Sequence, residues 1–158
     1  MTTSAITDTQ RHFTAAMNDH FGSLSGPVGV MVRDFGTGLE LSWNPEEVFP
    51  TASTLKTPLL YELYRLADAG EIDLSERVTL RHADRTPGSG ILQQLDEGLQ
   101  PTIRDLAELM IIVSDNWATD MVYARIGKER IARMLEELGL HQTHIPLDIR
   151  EMFCALAM

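Results

Sequence analysis

A chain of 158 residues with 44% apolar and 23% charged side chains is ordinary globular material, long enough to bury roughly two-thirds of its unfolded surface in one domain spanning 1–158. Thirteen Lys and Arg against 23 Asp and Glu give a formal net charge of -10, which argues against a nucleic-acid partner. The longest apolar run, Leu106 to Val113, is broken by Glu108, so no membrane span is predicted.

Met1 to Ile6 carries no basic segment followed by an apolar run. The sequence as it stands therefore reads as cytoplasmic, or as periplasmic or secreted if a leader has been removed. The single cysteine, Cys154, lies in an apolar stretch and is read as a small buried hydrophobe.

In chain order, Thr3 to Phe21 places Ile6, Phe13, Met17 and Phe21 near helical spacing ahead of Gly22, which predicts an amphipathic helix that packs on a sheet. Val28, Val30 and Val32 alternate, Gly36-Thr37-Gly38 supplies turn chemistry, and Leu39, Leu41 and Trp43 alternate again. That pattern is a β-hairpin. From Thr51 the period becomes 3.6, with Leu55, Leu59, Leu63 and Leu66 on one stripe and Gly70 as terminator, so a buried helix is predicted over Ser53 to Ala69, with Pro58 in its tolerant first turns.

Glu71 to Leu80 reads as a turn and a short extended piece, and His82 to Leu99, with Pro87-Gly88-Ser89-Gly90, as a long irregular stretch of the kind that borders binding sites. Thr102 with Asp105 predicts a capping box for a helix to Val113, and further helices follow over Asn116 to Gly127 and Lys128 to Leu138. Asp148 and Glu151 have capping-box spacing ahead of Met152, Phe153 and Leu156, so a last helix begins near Ile149. The class is α+β.

Chemistry concentrates in two places. Ser53-Thr54-Leu55-Lys56 puts a hydroxyl and an amine three positions apart on one helical face, with the serine at the end where backbone N–H groups point outward. Such a serine can pass its proton to a desolvated lysine and offer its own N–H to a developing oxyanion. An S-x-x-K arises by chance about once in every two chains of this length, usually as a capping serine and a solvated lysine. Here, however, it is the only one in the chain, and Lys56 precedes the apolar Pro58, Leu59 and Leu60. An internal lysine needs a partner or a lowered pKa. Ser114-Asp115-Asn116 follows the apolar Leu109 to Val113 and is expected in only about one chain in fifty by composition. It can also cap the next helix.

S-x-x-K with S-D-N, 61 residues apart, resembles the class A β-lactamases and penicillin-binding proteins. The likeness extends to Val48 to Ala52, Leu106 to Met110, Ala118-Thr119 and the Pro87 to Leu92 loop. It implies a β-lactamase-like (D,D-peptidase) fold, of which this chain holds the helical subdomain and first hairpin, the sheet being completed by a C-terminal half or a second chain. It also implies a small-molecule substrate, a β-lactam or a related amide or ester, with no cofactor and no metal. By the resemblance Ser53 is acylated, Lys56 is its general base or electrostatic anchor, and Ser114 relays a proton. Asn116 and Ser89 bind substrate, Asp115 braces the turn, and Thr86 to Gly90 walls the cleft.

Three departures stand beside it. The family's K-T-G motif is absent, and nothing matches the E-x-x-L-N pattern that holds the deacylating glutamate, although Glu151 falls in that region. Asp120 and Trp117 stand where the family usually has asparagine and a small polar residue. A non-catalytic binding module, or an esterase or D,D-peptidase on the same scaffold, are the other readings. Five histidines include only one i, i+3 pair, His141 and His144, read as surface residues rather than zinc ligands.

Overall fold

The computed structural model of the protein describes the backbone of residues 3–156 and the side chains of residues 8–155. The backbone divides into two compact units, Met1–Pro50 and Thr51–Met158. Ile6 and Leu156, both assigned above to apolar helix faces, lie outside the described side chains.

The first unit is a helix, α1 (Thr3–Phe21), and an antiparallel hairpin of β1 (Val30–Arg33) and β2 (Glu40–Trp43) in the register Val30↔Trp43 to Arg33↔Glu40. The turn is built on Asp34, whose carboxylate accepts from the Gly36 amide at 2.8 Å and whose carbonyl accepts from Gly38 at 2.8 Å, while Gly38 takes a φ of 72°. As expected, α1 packs on the hairpin: Gln10 donates to the Ser42 carbonyl at 2.9 Å, the Trp43 indole donates to Asn18 at 3.2 Å, and the Phe21 and Trp43 rings lie 6.1 Å apart. The alternation predicted through Val28, Val30 and Val32 leaves Val28 and Val30 only half-buried and Val32 46% exposed, with Met31 between them outward at 66% as the alternation requires. A two-stranded ribbon is too thin to cover both faces of its own strands.

The second unit holds the core. The predicted leucine stripe is real: Leu55, Leu59, Leu63 and Leu66 are all buried. The helix that carries it is shorter than expected, however. A 3-10 turn spans Ala52–Leu55 and α2 runs Lys56–Asp68. Pro58 supplies the reason, because it has no N–H to close an α-helical ring on Thr54, and the Lys56 amide bonds back to the Ser53 and Thr54 carbonyls instead. Ser53 therefore sits in the tight turn just ahead of the α-helix.

Three helices pack around α2. α3 (Ile103–Ile112) opens with the predicted capping box, in which the Thr102 hydroxyl accepts from the Asp105 amide and the Asp105 carboxylate from the Thr102 amide. α4 (Asn116–Ile126) is capped by Asp115 and buries seven of its eleven residues, and α5 (Lys128–Glu137) follows after Gly127 at a φ of 91°. α6 (Ile149–Leu156) begins at the predicted Asp148 and Glu151 box, with both reciprocal bonds formed at 2.7 and 3.0 Å.

One expectation fails on α6. Cys154 is exposed rather than buried, because Ile149 and Met152 are the residues turned to the core and a residue two positions past Met152 lies about 200° round the helix. Among the described residues no helix is long and apolar enough to cross a membrane.

Candidate active site

The site lies wholly within the second unit, where the start of α2 meets the turn before α4. Ser53 is exposed in its 3-10 turn, whereas Lys56, one turn later, is 2% exposed. A lysine buried to that degree must have its ammonium protons taken up, and all three are. Nζ donates to the Ser114 carbonyl at 2.7 Å, the Ser114 hydroxyl at 2.8 Å and Asn116 Oδ1 at 3.0 Å. The Ser114 hydroxyl in turn lies 2.9 Å from Ser53 Oγ. Lys56 has no direct hydrogen bond to Ser53; Ser114 stands between them. Burial pushes the Lys56 amine below its ordinary 10.5, and the nearby Asp115 and then Asp120 pull in the opposite direction.

Two backbone positions flank this line in the left-handed region that side chains other than glycine seldom adopt: Ala52 at a φ of 43° and Ser114 at 53°. Each costs on the order of 1–3 kcal/mol and persists only where the surroundings over-determine it. One immediately precedes the serine of the first motif, and the other is the serine of the second.

Asp115 explains what holds the second motif. Its carboxylate is 1% exposed and accepts from three amides: Ala118 at 3.0 Å, Ile91 at 2.7 Å and Leu92 at 2.9 Å. One side chain thus caps α4 and pins the irregular loop to the turn. The capping reading of this tripeptide therefore holds at Asp115.

The loop itself is shaped by two glycines. A side chain at Gly90 would come within 2.3 Å of the Asp115 carboxylate, and one at Gly88 within 2.5 Å of Asn116 Nδ2, with the Phe153 ring just beyond. Both residues hold positive φ. Asn116 seals the contact, donating its side-chain amide to the Pro87 carbonyl and its backbone amide to the Ser89 carbonyl at 2.9 Å. Ser89 is thus brought to the site by its backbone, with its side chain exposed. Asn116 Oδ1 also accepts from Lys56, and one of its amide protons is spent on the loop.

A profile of the β-lactamase enzyme family matches residues 11–153. The chain belongs to the β-lactamase enzyme family. Among solved structures, this β-lactamase-family chain is similar to a β-lactamase from Sphaerobacter thermophilus, with 34% identity and a TM-score of 0.79 over 90% of this chain and 52% of that one. It is also similar to PBP-A, with 30% identity and a TM-score of 0.77 over 92% of this chain and 54% of that one; a variant of PBP-A is known as an acyl-enzyme complex with penicillin G. A curated relative, the β-lactamase regulatory protein BlaB of Streptomyces cacaoi, is 29% identical over 134 residues, 84% of this chain and 42% of that protein. The chain thus spans about half the length of these relatives. The β-lactamase-like fold, mostly helical with a small two-stranded sheet, is the one expected.

Trp117 and Asp120 stand out in the sequence as departures, but their surroundings come only from the fold. Trp117 is 1% exposed, and its indole N–H has no partner. Asp120 accepts from the Thr86 hydroxyl at 2.6 Å and from the Ile149 and Arg150 amides at 2.7 and 3.1 Å. The signal for Asp120 was available: an acid between Thr119 and Met121 on a buried helix must find donors. Glu151, the region's candidate acid, is exposed and engaged with the Asp148 amide as a cap. Among the described residues no group of His, Cys, Asp and Glu could hold a metal ion, and His141 pairs with Glu136 at 2.7 Å.

Proposed function

We propose that Ser53 is the nucleophile of a serine hydrolase acylated by a β-lactam or a related amide or ester, and that 1–158 forms the nucleophile-bearing part of one β-lactamase-like domain. The observation that carries this reading is the unbroken line Ser53–Ser114–Lys56, with heavy-atom steps of 2.9 and 2.8 Å. When Lys56 is neutral, both hydroxyl protons can reverse: Ser53 gives its proton to Ser114 while Ser114 gives its own to Nζ. Ser53 Oγ then attacks the substrate carbonyl, and the C–O bond forms as the carbonyl electrons move to oxygen. On collapse the C–N bond breaks, and the leaving nitrogen takes its proton back through Ser114, leaving an ester on Ser53. Lowering the amine's pKa toward neutrality raises the fraction of lysine able to act this way.

Substrate binding falls to Asn116, whose second amide proton can meet a side-chain carbonyl of the ligand, and to the Ser89 stretch of the loop. One oxyanion donor is the Ser53 amide. The second belongs in the family to the strand bearing K-T-G, a motif this chain does not contain, so catalysis by these 158 residues unaided is not part of the proposal. Among the described residues no carboxylate is hydrogen-bonded to Ser53, Ser114 or Lys56. The test is labelling with a fluorescent penicillin compared with turnover of a chromogenic cephalosporin and of a short-chain nitrophenyl ester. Labelling lost in Ser53→Ala supports the reading, ester turnover without labelling favours an esterase, and neither activity in the natural full-length protein overturns it.

A second reading has its own support. A relative named as a regulatory protein favours a binding module that uses the same pocket without turnover. In that case Lys56→Ala changes stability more than it changes any activity.

A further inference from the structure

Asp120 lies one helical turn past Asn116 on α4, and its carboxylate is where three segments meet. Oδ2 accepts the Thr86 hydroxyl at 2.6 Å and the Arg150 amide at 3.1 Å, and Oδ1 accepts the Ile149 amide at 2.7 Å. Holding the first amides of α6 is a capping task that a neutral asparagine or serine performs equally well. The Thr86 bond is a different matter. Thr86 is 1% exposed and immediately precedes Pro87, whose carbonyl receives the Asn116 amide at 3.0 Å, while Asn116 Oδ1 receives Lys56 at 3.0 Å. A path of hydrogen bonds and single peptide links therefore runs from Asp120 to the amine beside Ser53.

Charge points the same way. The Lys56 ammonium has no carboxylate bonded to it, and the two acids that favour its charged form are Asp115 and Asp120. Burial raises the Asp120 carboxyl above its ordinary value and Asp148 at the cap of α6 pushes the same way, while the bonds from Thr86, Ile149 and Arg150 favour its charged form. Of the charged or titratable groups around it, the Arg150 guanidinium donates to the Ala83 carbonyl and lies 4.0 Å from Asp84, Arg125 pairs with Glu76 at 2.7 Å, Arg77 donates to the Gln100 carbonyl, and the Tyr123 hydroxyl donates to the Ile145 carbonyl, while Arg81 lines the same cavity. On its outer side Asp120 lines a cavity of about 520 Å³ behind α4, which gives water a route to the carboxylate.

We propose that Asp120 is the positioning residue of this site: its carboxylate ties the Thr86 end of the wall loop and the start of α6 to α4, and supplies the second negative charge behind the Lys56 ammonium. It does not touch substrate. The importance of that role for acylation rests on the function proposed above, whereas the placement of Lys56 can be measured without it.

The chain has only two lysines, Lys56 and Lys128, so the side-chain ε-carbon resonances can be titrated by NMR, with Lys128→Arg as the assignment control. Asp120→Asn is expected to shift the Lys56 titration downward and to speed hydrogen exchange at the Ile91 and Leu92 amides. Thr86→Val, which keeps the charge and removes the tie, is expected to leave the Lys56 titration in place and still speed that exchange, and Thr86→Ser to restore protection. An unshifted Lys56 in Asp120→Asn overturns the electrostatic half, and unchanged exchange in Thr86→Val overturns the tie. If Asp120→Asn does not fold, the two Thr86 variants decide the tie and Asp120→Glu, which keeps a charge, replaces it in the titration: there an unmoved Lys56 supports the role, and a downward shift overturns it. All readouts use unacylated protein, so they stand apart from whether Ser53 reacts with a penicillin.

Discussion

The two units of this chain obey the same periodicity rules with opposite results. In Thr51–Met158 apolar spacing turned into burial, and every buried side chain described lies between Leu55 and Ile149. In Met1–Pro50 the hairpin pattern is just as regular, yet no described side chain there is buried and Phe35 stands 89% exposed. A strand pattern states which face is to be covered without supplying the cover. Helices packed on helices supply each other's.

Substitutions at matched positions can break or sharpen that contrast. Leu63→Ala, at a fully buried position on the stripe, is expected to lower the unfolding free energy by about 2–5 kcal/mol in urea titrations followed by helical circular dichroism. Next is Gly90→Ala, which forces a side chain toward the Asp115 carboxylate at a φ of 118°. Strain of about 1–3 kcal/mol, with loss of the Ile91 and Leu92 amide bonds, should appear in the same assay and as loss of penicillin labelling.

The third effect is one of pH. Burial raises the folded-state pKa of Asp120 above its ordinary 3.8, so the stability this group contributes is complete below 3.8 and is lost as pH rises through the raised value. Asp120→Asn should remove that slope, gaining relative to wild type from acid toward neutral pH in parallel denaturation series. A difference independent of pH would contradict the assignment. Smallest is Val32→Ala on β1, 46% exposed, expected to cost under about 1 kcal/mol. A loss as large as that of Leu63→Ala would show that the hairpin is covered, and the contrast would fall.

Most of the fold was legible because its signals are local. The leucine stripe, the Thr102–Asp105 and Asp148–Glu151 boxes and the Gly36-Thr37-Gly38 turn each need only residues a few positions apart. What was not legible depends on partners far along the chain. Nothing in Ser114-Asp115-Asn116 announces that Asp115 takes the amides of Ile91 and Leu92, that Gly88 and Gly90 are glycines because that turn presses on them, or that Thr86 closes on Asp120. The Ser53 to Lys56 spacing suggested a direct pair, and only the folded chain places the Ser114 hydroxyl between them. Cys154 misled because an apolar stretch says nothing of which way a short helix rolls.

The central claim is that the line Ser53–Ser114–Lys56 makes Ser53 a nucleophile. Its most direct test is intact-mass spectrometry of the natural full-length protein after incubation with a penicillin, beside Ser53→Ala and Ser114→Ala, with peptide mapping of any adduct. The account predicts one penicillin per chain on the peptide bearing Ser53, none in Ser53→Ala, and markedly slowed formation in Ser114→Ala. No adduct on the wild type, or one that persists in Ser53→Ala, would contradict it.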